Sequence, residues 1–574
     1  MAKRKQIKVI PLGGVGEIGK NMTAVEYNDD IILIDCGMSF PEEYMLGIDA
    51  VIPDFTYLEE NREKIKGVLL THGHDDHIGA IAYFLKKFPE VAVYGTGLTL
   101  GLVSNKISQH DDITQASLIR FYAGDTIELG CFKVKAIKVN HSVADSVAFA
   151  IHAPIGTIVF TGDFKVDFTP VDDEIIDLAS FAALGTSGVL ALFMESTNIE
   201  REGYTMSEKT VGKKFENIFA HAEGRIVVTT FASNIHRIQQ IIDASIKFRR
   251  KVCIMGFSML NAAKVALEMG YLHCPEEWLI EIDRVNKQPA NEVTIITTGS
   301  QGEPMSALSR MANSEYKNFN IISGDTVVIS ATPVPGNEKM VSGVVNKLFE
   351  KGANVIYSAL EDIHVSGHAC REELKLMYSL VKPKFFVPVH GERRHLILNA
   401  KMIEELGMNP KNIVLPSIGK KILIDTSGIT LGEEVHAGIT LVDGLGIGDV
   451  GNIVLKDRQL LSEEGLIITI VTLDDNRHII SGPEIISRGF VYVKESEELI
   501  QQIKDIVLNV VESVSDKKKA DLMQLKNTMR DRIKMYIYNK TQRRPMILPV
   551  IMEAQKGLED MKEFSVADFI GKDE

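Results

Sequence analysis

The sequence predicts an α/β protein: a layered sheet domain interrupted by a second, mainly parallel α/β domain and followed by a small α+β region. Three observations carry this. Over residues 1–205, short apolar runs end one after another in polar residues, among them Asp35, His72, His141, Asp163 and Glu195. Over 206–360, strands alternate with helices instead. Over 361–442 the first pattern returns, with a histidine loop, a helix and a strand ending in His390. Residues 443–464, opening with the glycine-rich "DGLGIGDVGN", read as a linker, and 465–574 as a last domain.

The bulk properties agree with that division. A chain of 574 residues exceeds what one core supports, and 45% hydrophobic with 24% charged residues is an ordinary globular composition. The formal charge of −14 excludes a uniformly basic nucleic-acid coat but leaves room for a local basic groove. Cys36, Cys131, Cys253, Cys274 and Cys370 are odd in number and form no C-x-x-C pair, as expected of reduced cytosolic thiols. The basic start "MAKRKQIKVIPLGG" lacks an apolar h-region, and no run approaches the roughly 18–20 apolar residues of a membrane span. A cytoplasmic protein with no membrane segment is expected.

Near the N-terminus, "GGVGEIG" contains G-x-G-x-x-G, with Asp35 at about the distance of a ribose-binding acid. A dinucleotide site needs a helix after the glycines, to hold the pyrophosphate at its N-terminus. The following residues alternate at Thr23, Val25 and Tyr27, turn at Asn28-Asp29-Asp30 and continue into the apolar Ile31–Ile34. That pattern is strand, hairpin, strand, so the nucleotide reading is rejected. The glycines instead let a loop approach something closely.

The inserted domain is read from "GRIVVTTF" before "NIHRIQQIIDASIKFRR", "KVCIMG" before "SMLNAAKVALEMGYL", and then "VTIITTGS" and "DTVVISATPVP". The last domain shows strand-like "GLIITIVTL" and "FVYVKE", an amphipathic helix near 497–513, and a second helix ahead of "RRPMILPVIMEA". Lys517, Lys518, Lys519, Lys526, Arg530, Arg532, Lys534, Lys540, Arg543 and Arg544 face only Asp521 and Asp531 there. A solvated helix face and a phosphate or subunit contact both fit. Asp443 and Asp449 suit either a structural Ca²⁺ site or a turn-rich linker.

The densest chemistry is "THGHDDH". Imidazole and carboxylate together suit Zn²⁺ or Mn²⁺. In a tight loop His72 and His74 can share one ion, while Asp76 and His77 turn toward a second and Asp75 points outward or supports the loop. His141 in "KVNHS" and Asp163 in "FTGDF" are candidates for the ligands still missing.

"THGHDDH", with Asp35, His141 and Asp163, resembles the H-x-H-x-D-H signature and companion motifs of the metallo-β-lactamase fold. The resemblance implies an αββα sandwich and a metal site, with no substrate attached. Glu195 in "FMEST", the 206–360 insertion, His368 in "HVSGH" and His390 in "PVHGE" are similar to motifs A, B and C of the β-CASP nucleic-acid-processing branch. Histidine at motif C is the RNA-directed form. With "EIGKN" and "VIPDFTYL" also in place, the chain resembles bacterial ribonuclease J from its first strand to its final domain.

That resemblance implies a set of roles. His72, His74 and His141 would hold one metal, Asp76, His77 and His390 the other, and Asp163 would bridge them, with Asp35 orienting ligands from behind. Asp76, Asp163, His368 and Glu195 form the implied catalytic set. Two ions about 3.5–4 Å apart would clamp the phosphodiester and lower the pKa of a bridging water to about 7. In-line attack then leaves a 5′-phosphate and a 3′-hydroxyl. His368 would stabilise developing charge or protonate the leaving oxygen, with Glu195 holding it.

The family's 5′→3′ exonuclease and endonuclease activities, used in RNA maturation and mRNA decay, imply single-stranded RNA with a 5′-monophosphate as substrate. A phosphate pocket is expected from Ser233 and Asn234 of "FASN" on one side and from His364, Val365, Ser366, Gly367 and His368 on the other. "FASN" would serve equally as a plain helix cap. A homodimer, a homotetramer or a hetero-oligomer with a paralogue is implied. The alternatives are a weakly active scaffold subunit and a DNA-directed nuclease of the same branch.

Overall fold

The computed structural model describes residues 5–301, 306–317, 319–333, 337–357, 363–490, 497–515 and 521–554. Two compact units divide the chain: Met1–Phe40 with Ala50–Thr440, and Pro41–Asp49 with Leu441–Glu574.

In the first unit two sheets lie face to face. One has eight strands in the order Ile429–Glu434, Lys420–Ile424, Ile7–Gly13, Met22–Tyr27, Asp30–Ile34, Ile65–Leu69, Val93–Gly95 and Leu118–Arg120. The other has six, in the order Phe385–Val389, Ala191–Glu195, Gly156–Phe160, Val147–Ala153, Phe132–Lys138 and Thr126–Leu129. Alternating residues of both inner faces, such as Val9, Val25, Ile32, Phe132, Phe149, Phe160, Phe193 and Val387, form one dry core. The outer face of the six-stranded sheet presents Ala148, Val159, Leu192 and Phe386 to Phe181, Leu374, Met377 and Met402, which lie on the helices Leu178–Ser187, Arg371–Val381 and Arg393–Glu405.

The hairpin expected after the glycines is present. Tyr27 pairs with Asp30 across the two-residue turn Asn28-Asp29, where Asn28 takes a φ of 55°. A Cβ on Gly13 would stand 2.1 Å from the Lys20 carbonyl oxygen, so this loop closes on its own backbone.

The inserted region forms a five-stranded sheet ordered Lys251–Ile254, Val293–Thr297, Ile226–Thr229, Thr326–Ile329 and Asn354–Ile356, parallel throughout. Helices cover both faces, as near-continuous apolar strands such as "IVVT" and "VTIIT" require.

The second unit has a three-stranded sheet, Ile479–Arg488, Leu466–Leu473 and Met546–Glu553, with the helices Glu497–Ser515 and Leu522–Thr541 on one face. The strand Ile479–Arg488 was not foreseen, because Gly482-Pro483 breaks its alternation. Of the expected strand "FVYVKE" only Phe490 is described, and Lys517, Lys518 and Lys519 also lie outside the described residues. Lys526, Arg530, Arg532, Lys534, Lys540, Arg543 and Arg544 are exposed, opposite the buried stripe Leu525, Met529, Ile533 and Ile537.

The segment expected as a linker, 443–464, carries structure of its own. Gly446–Ile447 folds back on Val442 and Asp443, and Asn452–Glu464 is a helix, since its glycines are confined to the segment before it. Asp443 pairs with Arg458, and among the described residues no group of three metal-capable side chains includes Asp443 or Asp449. Residues 41–49 join this unit through the Asp49 carboxylate, which accepts from Gly444 N at 2.8 Å, and through Arg458, which donates to the Leu46 carbonyl at 3.0 Å. Among the described residues no helix is long and apolar enough to cross a membrane, and no two of the five cysteines are joined.

Candidate metal centre

Parallel strand ends deliver the polar side chains to one edge of the sandwich. Asp35 follows the strand Asp30–Ile34, His72 lies three residues past Ile65–Leu69, and His141 three past Phe132–Lys138. Asp163 lies three residues past Gly156–Phe160, Glu195 ends Ala191–Glu195, and His390 follows Phe385–Val389. Asp35 and His390 both adopt left-handed backbone, at φ 61° and 50°, a conformation costing about 1–3 kcal/mol that the surrounding structure must impose.

The ligating atoms of His72, His74, His141 and Asp163 lie within 4.8 Å of one another. So do those of Asp76, His77, Asp163 and His390, and those of Asp163, Glu195 and His368. Asp163 belongs to all three groups.

Hydrogen bonds decide which ring atom of each histidine faces inward. His77 Nδ1 donates to Asp35 Oδ2 at 2.7 Å, and His141 Nδ1 donates to the Gly367 carbonyl at 2.7 Å. The Thr71 hydroxyl gives its proton to Asp35, 2.9 Å away, and so accepts from His72 Nδ1 at 3.0 Å. His74 is turned the other way, with Nε2 3.3 Å from Ser142 Oγ and Nδ1 inward. Three lone pairs therefore converge: His74 Nδ1 lies 3.1 Å from His72 Nε2 and 3.1 Å from His141 Nε2. Nitrogens that face one another without a proton between them need a cation.

The second group makes the same demand. His77 Nε2 stands 3.2 Å from Asp163 Oδ2 and 3.5 Å from Asp76 Oδ2, and His390 Nε2 is 3.4 Å from Asp76 Oδ2. Both Asp163 oxygens and His390 Nδ1 are buried without a hydrogen-bond partner. A buried carboxylate with no donor costs several kcal/mol unless a positive ion meets it. Burial, followed by crowding from neighbouring imidazoles, holds His72 and His141 well below the usual histidine range, so they present neutral donor nitrogens. The donor set therefore fits two divalent ions.

His368 Nδ1 meets Glu195 Oε2 at 2.7 Å, and Glu195 Oε1 accepts from Phe164 N at 2.7 Å. Burial pulls His368 down, but the Glu195 charge and hydrogen bond outweigh it and leave the imidazole at about 9. Asp75 pairs with Lys106 at 2.5 Å, outside all three groups.

The residues expected at a phosphate pocket are partly committed elsewhere. Asn234 caps its helix, accepting from Arg237 N at 3.1 Å, while Ser233 is half-buried beside it. Val365 is buried in the inserted domain's core. Ser366 Oγ accepts from Asn198 Nδ2 at 2.8 Å, and His364 is half-buried.

The sequence reading missed Asn21, Thr71, Ser142 and Glu373. Asn21 Nδ2 lies 3.1 Å from His77 Nε2 and donates to the Asp76 carbonyl at 3.1 Å. Glu373 accepts from Val166 N at 2.7 Å, Thr205 N at 2.8 Å and Cys370 N at 2.7 Å. Asn21 had a signal in "EIGKN"; Glu373 had only its place three residues after the helix cap Cys370.

Four family models match the chain. "Metallo-beta-lactamase superfamily" covers residues 15–187 and "Ribonuclease J, beta-CASP domain" 223–348. "Zn-dependent metallo-hydrolase RNA specificity domain" covers 353–416 and "Ribonuclease J C-terminal domain" 453–554. The chain is 44% identical over 550 residues to ribonuclease J2 of Bacillus subtilis, covering 96% of this chain and 99% of that protein. It is 42% identical over 555 residues to ribonuclease J 2 of Staphylococcus aureus strain MRSA252, with 96% and 99% covered. A solved structure of a protein of unknown function from Enterococcus faecalis superposes with a TM-score of 0.53 at 19% identity, over 73% of this chain and 100% of that one, a likeness of fold alone.

Proposed function

The chain belongs to the ribonuclease J family, and from that premise we propose that this metal-dependent ribonuclease degrades single-stranded RNA 5′→3′ from a 5′-monophosphate end and also cuts internally. The carrying observation is Asp163, buried with both oxygens lacking donors at the point where all three ligand groups meet.

Asp163 would bridge two ions, zinc in this reading with manganese as the alternative. His72, His74 and His141 would hold one, and Asp76, His77 and His390 the other. When bound, the ions supply charge neutralisation for the scissile phosphate and a water whose pKa is lowered to about 7. The chain's own residues do the rest. Asp35, Thr71, Ser142 and the Gly367 carbonyl fix which ring nitrogen each of His77, His72, His74 and His141 turns inward. The Glu195 carboxylate takes the His368 Nδ1 proton in a hydrogen bond, leaving Nε2–H as the group that protonates the leaving 3′-oxygen. The products carry a 5′-phosphate and a 3′-hydroxyl.

Ser233, at the start of the helix Asn234 caps, and the His364–Gly367 loop would receive the 5′-phosphate, with Asn234 supporting the turn. The reading keeps the division 1–205, 206–360, 361–442, 443–464 and 465–574, a cytoplasmic setting supported by the five unpaired cysteines, and assembly as a homo-oligomer or with a paralogue. The complete ligand set favours an active enzyme over a scaffold subunit.

The test is product analysis on end-labelled single-stranded RNA, with and without chelator, beside matched single-stranded DNA. The reading expects mononucleotides from the 5′ end of 5′-monophosphorylated RNA, lost on chelation. Chelator-resistant products or preferred DNA cleavage would overturn it, and equal rates on 5′-triphosphorylated RNA would remove the phosphate pocket.

A further inference from the structure

Arg237, on the inserted domain's helix Ile235–Lys247, is wholly buried, and its guanidinium reaches three segments at once. Nε and Nη2 donate to the two carboxylate oxygens of Glu208 at 2.6 and 2.9 Å. Nη1 donates to the Ser330 carbonyl at 2.8 Å and to His364 Nδ1 at 3.1 Å, and Nη2 faces the Val365 carbonyl at 3.5 Å. Among the described residues, Glu208 is the carboxylate paired with this buried charge. The remaining donors all go to groups that frame one loop, residues 363–368. Ser330 adds its own tie, its hydroxyl donating to the Ile363 carbonyl at 2.6 Å. A guanidinium can only donate, so His364 Nδ1 accepts, and burial with the Arg237 charge keeps that imidazole neutral, pulled down to about 3.

The other end of the same loop is the catalytic end. The Gly367 carbonyl takes the His141 Nδ1 proton at 2.7 Å, and a Cβ on Gly367 would stand 2.6 Å from His141 Cε1. The Ser366 hydroxyl accepts from His368 N at 3.2 Å, and the His368 carbonyl accepts from Thr205 Oγ1 at 2.7 Å. A second route runs from the same ion pair: Glu208 N donates to Asp167 Oδ2 at 3.2 Å, four residues beyond Asp163. A shift of the loop's first residues would move His368 against Asp163 and loosen the brace on His141.

We propose that the Arg237–Glu208 pair is a positioning element for phosphodiester cleavage, fixing from the inserted domain the loop that presents His368 and braces His141. The proposal rests on the reading of His368 as proton donor and His141 as metal ligand. Neither Arg237 nor Glu208 touches the reacting atoms.

Arg237→Lys tests it, because lysine keeps the charge against Glu208 and replaces a five-donor fork by a single ammonium. With full-length, metal-loaded protein, kcat on 5′-monophosphorylated RNA is expected to fall about tenfold to a hundredfold. KM is expected to stay within about threefold. Hydrogen exchange of the metal-free protein supplies a readout independent of activity. Amides of 363–370 should exchange about tenfold faster, while the strands Ile226–Thr229 and Val293–Thr297 keep their protection. Ser330→Ala leaves the ion pair whole and should move both readouts the same way by less. Unchanged kcat with unchanged loop exchange in both variants overturns the proposal. Exchange rising equally in loop and strands overturns it too, since the pair then serves stability alone. Wild-type protein that fails to cleave RNA would count against the reading of function, while the exchange arm still judges the pair.

Discussion

At the scale of single residues, the chemistry turns on which proton sits where. His368 has one nitrogen committed to Glu195 at 2.7 Å, and its other is the only part of the ring free to serve a leaving group. His368→Ala is therefore expected to keep two metal ions per chain and to lose about 10²–10⁴-fold in turnover. Metal analysis beside single-turnover kinetics checks this, and near-normal cleavage at full metal content would end that role. Four of the candidate ligands were legible in the sequence because H-x-H-x-D-H packs them into six positions. Their tautomers were not. Those depend on Thr71, Ser142 and the Gly367 carbonyl, the last of them 226 residues from His141, and no local pattern announces such partners.

At the scale of elements, Glu373 shows how one buried carboxylate joins three segments. It closes the capping box of the helix Arg371–Val381 and also takes the backbone N–H of Val166 and of Thr205. Glu373→Gln puts a donor where an acceptor is needed and should cost about 1–3 kcal/mol, read as a lower midpoint in denaturant. A midpoint equal to wild type would refute it. Glu208 gives a pH signature. Burial raises its pKa, but the Arg237 charge and hydrogen bond, then Lys165, outweigh burial and hold it below the usual carboxylate range. A depressed folded pKa means stability that is full above the unfolded value of about 4.3 and is lost as pH falls through the folded one. The melting-temperature gap between wild type and Glu208→Gln should thus narrow on acidification below about pH 4; a gap that widens there would contradict the sign. Elements with an uninterrupted pattern were read correctly, such as the hairpin at Asn28-Asp29 and the inserted domain's apolar strands. The strand Ile479–Arg488 and the helix Asn452–Glu464 were missed, because Gly482-Pro483 and a run of glycines outweigh weak alternation when only neighbours are weighed.

At the scale of the whole molecule, the metal centre is a debt in folding free energy that ions offset, since its lone pairs and the Asp163 carboxylate face one another undischarged. Zinc or manganese at about 100 times its dissociation constant should stabilise the protein by about 2.7 kcal/mol, so chelation should lower the melting temperature by a few degrees. Asp163→Asn should abolish most of that difference, and a chelator shift of equal size in the variant would show that the ions bind elsewhere. By itself the sequence pointed to a sheet domain, its insertion and a final domain, and to the candidate ligands, because hydrophobic period and motif spacing are local properties of the chain. Only the tertiary structure decided that Asp163 stands at the junction of three candidate ligand groups, that Asn234 caps a helix, and that Arg237 reaches the loop 363–368. Those facts depend on sheet register and on side chains meeting across more than three hundred residues, as His390 meets Asp76 across 314, and contacts of that kind leave no period in the sequence.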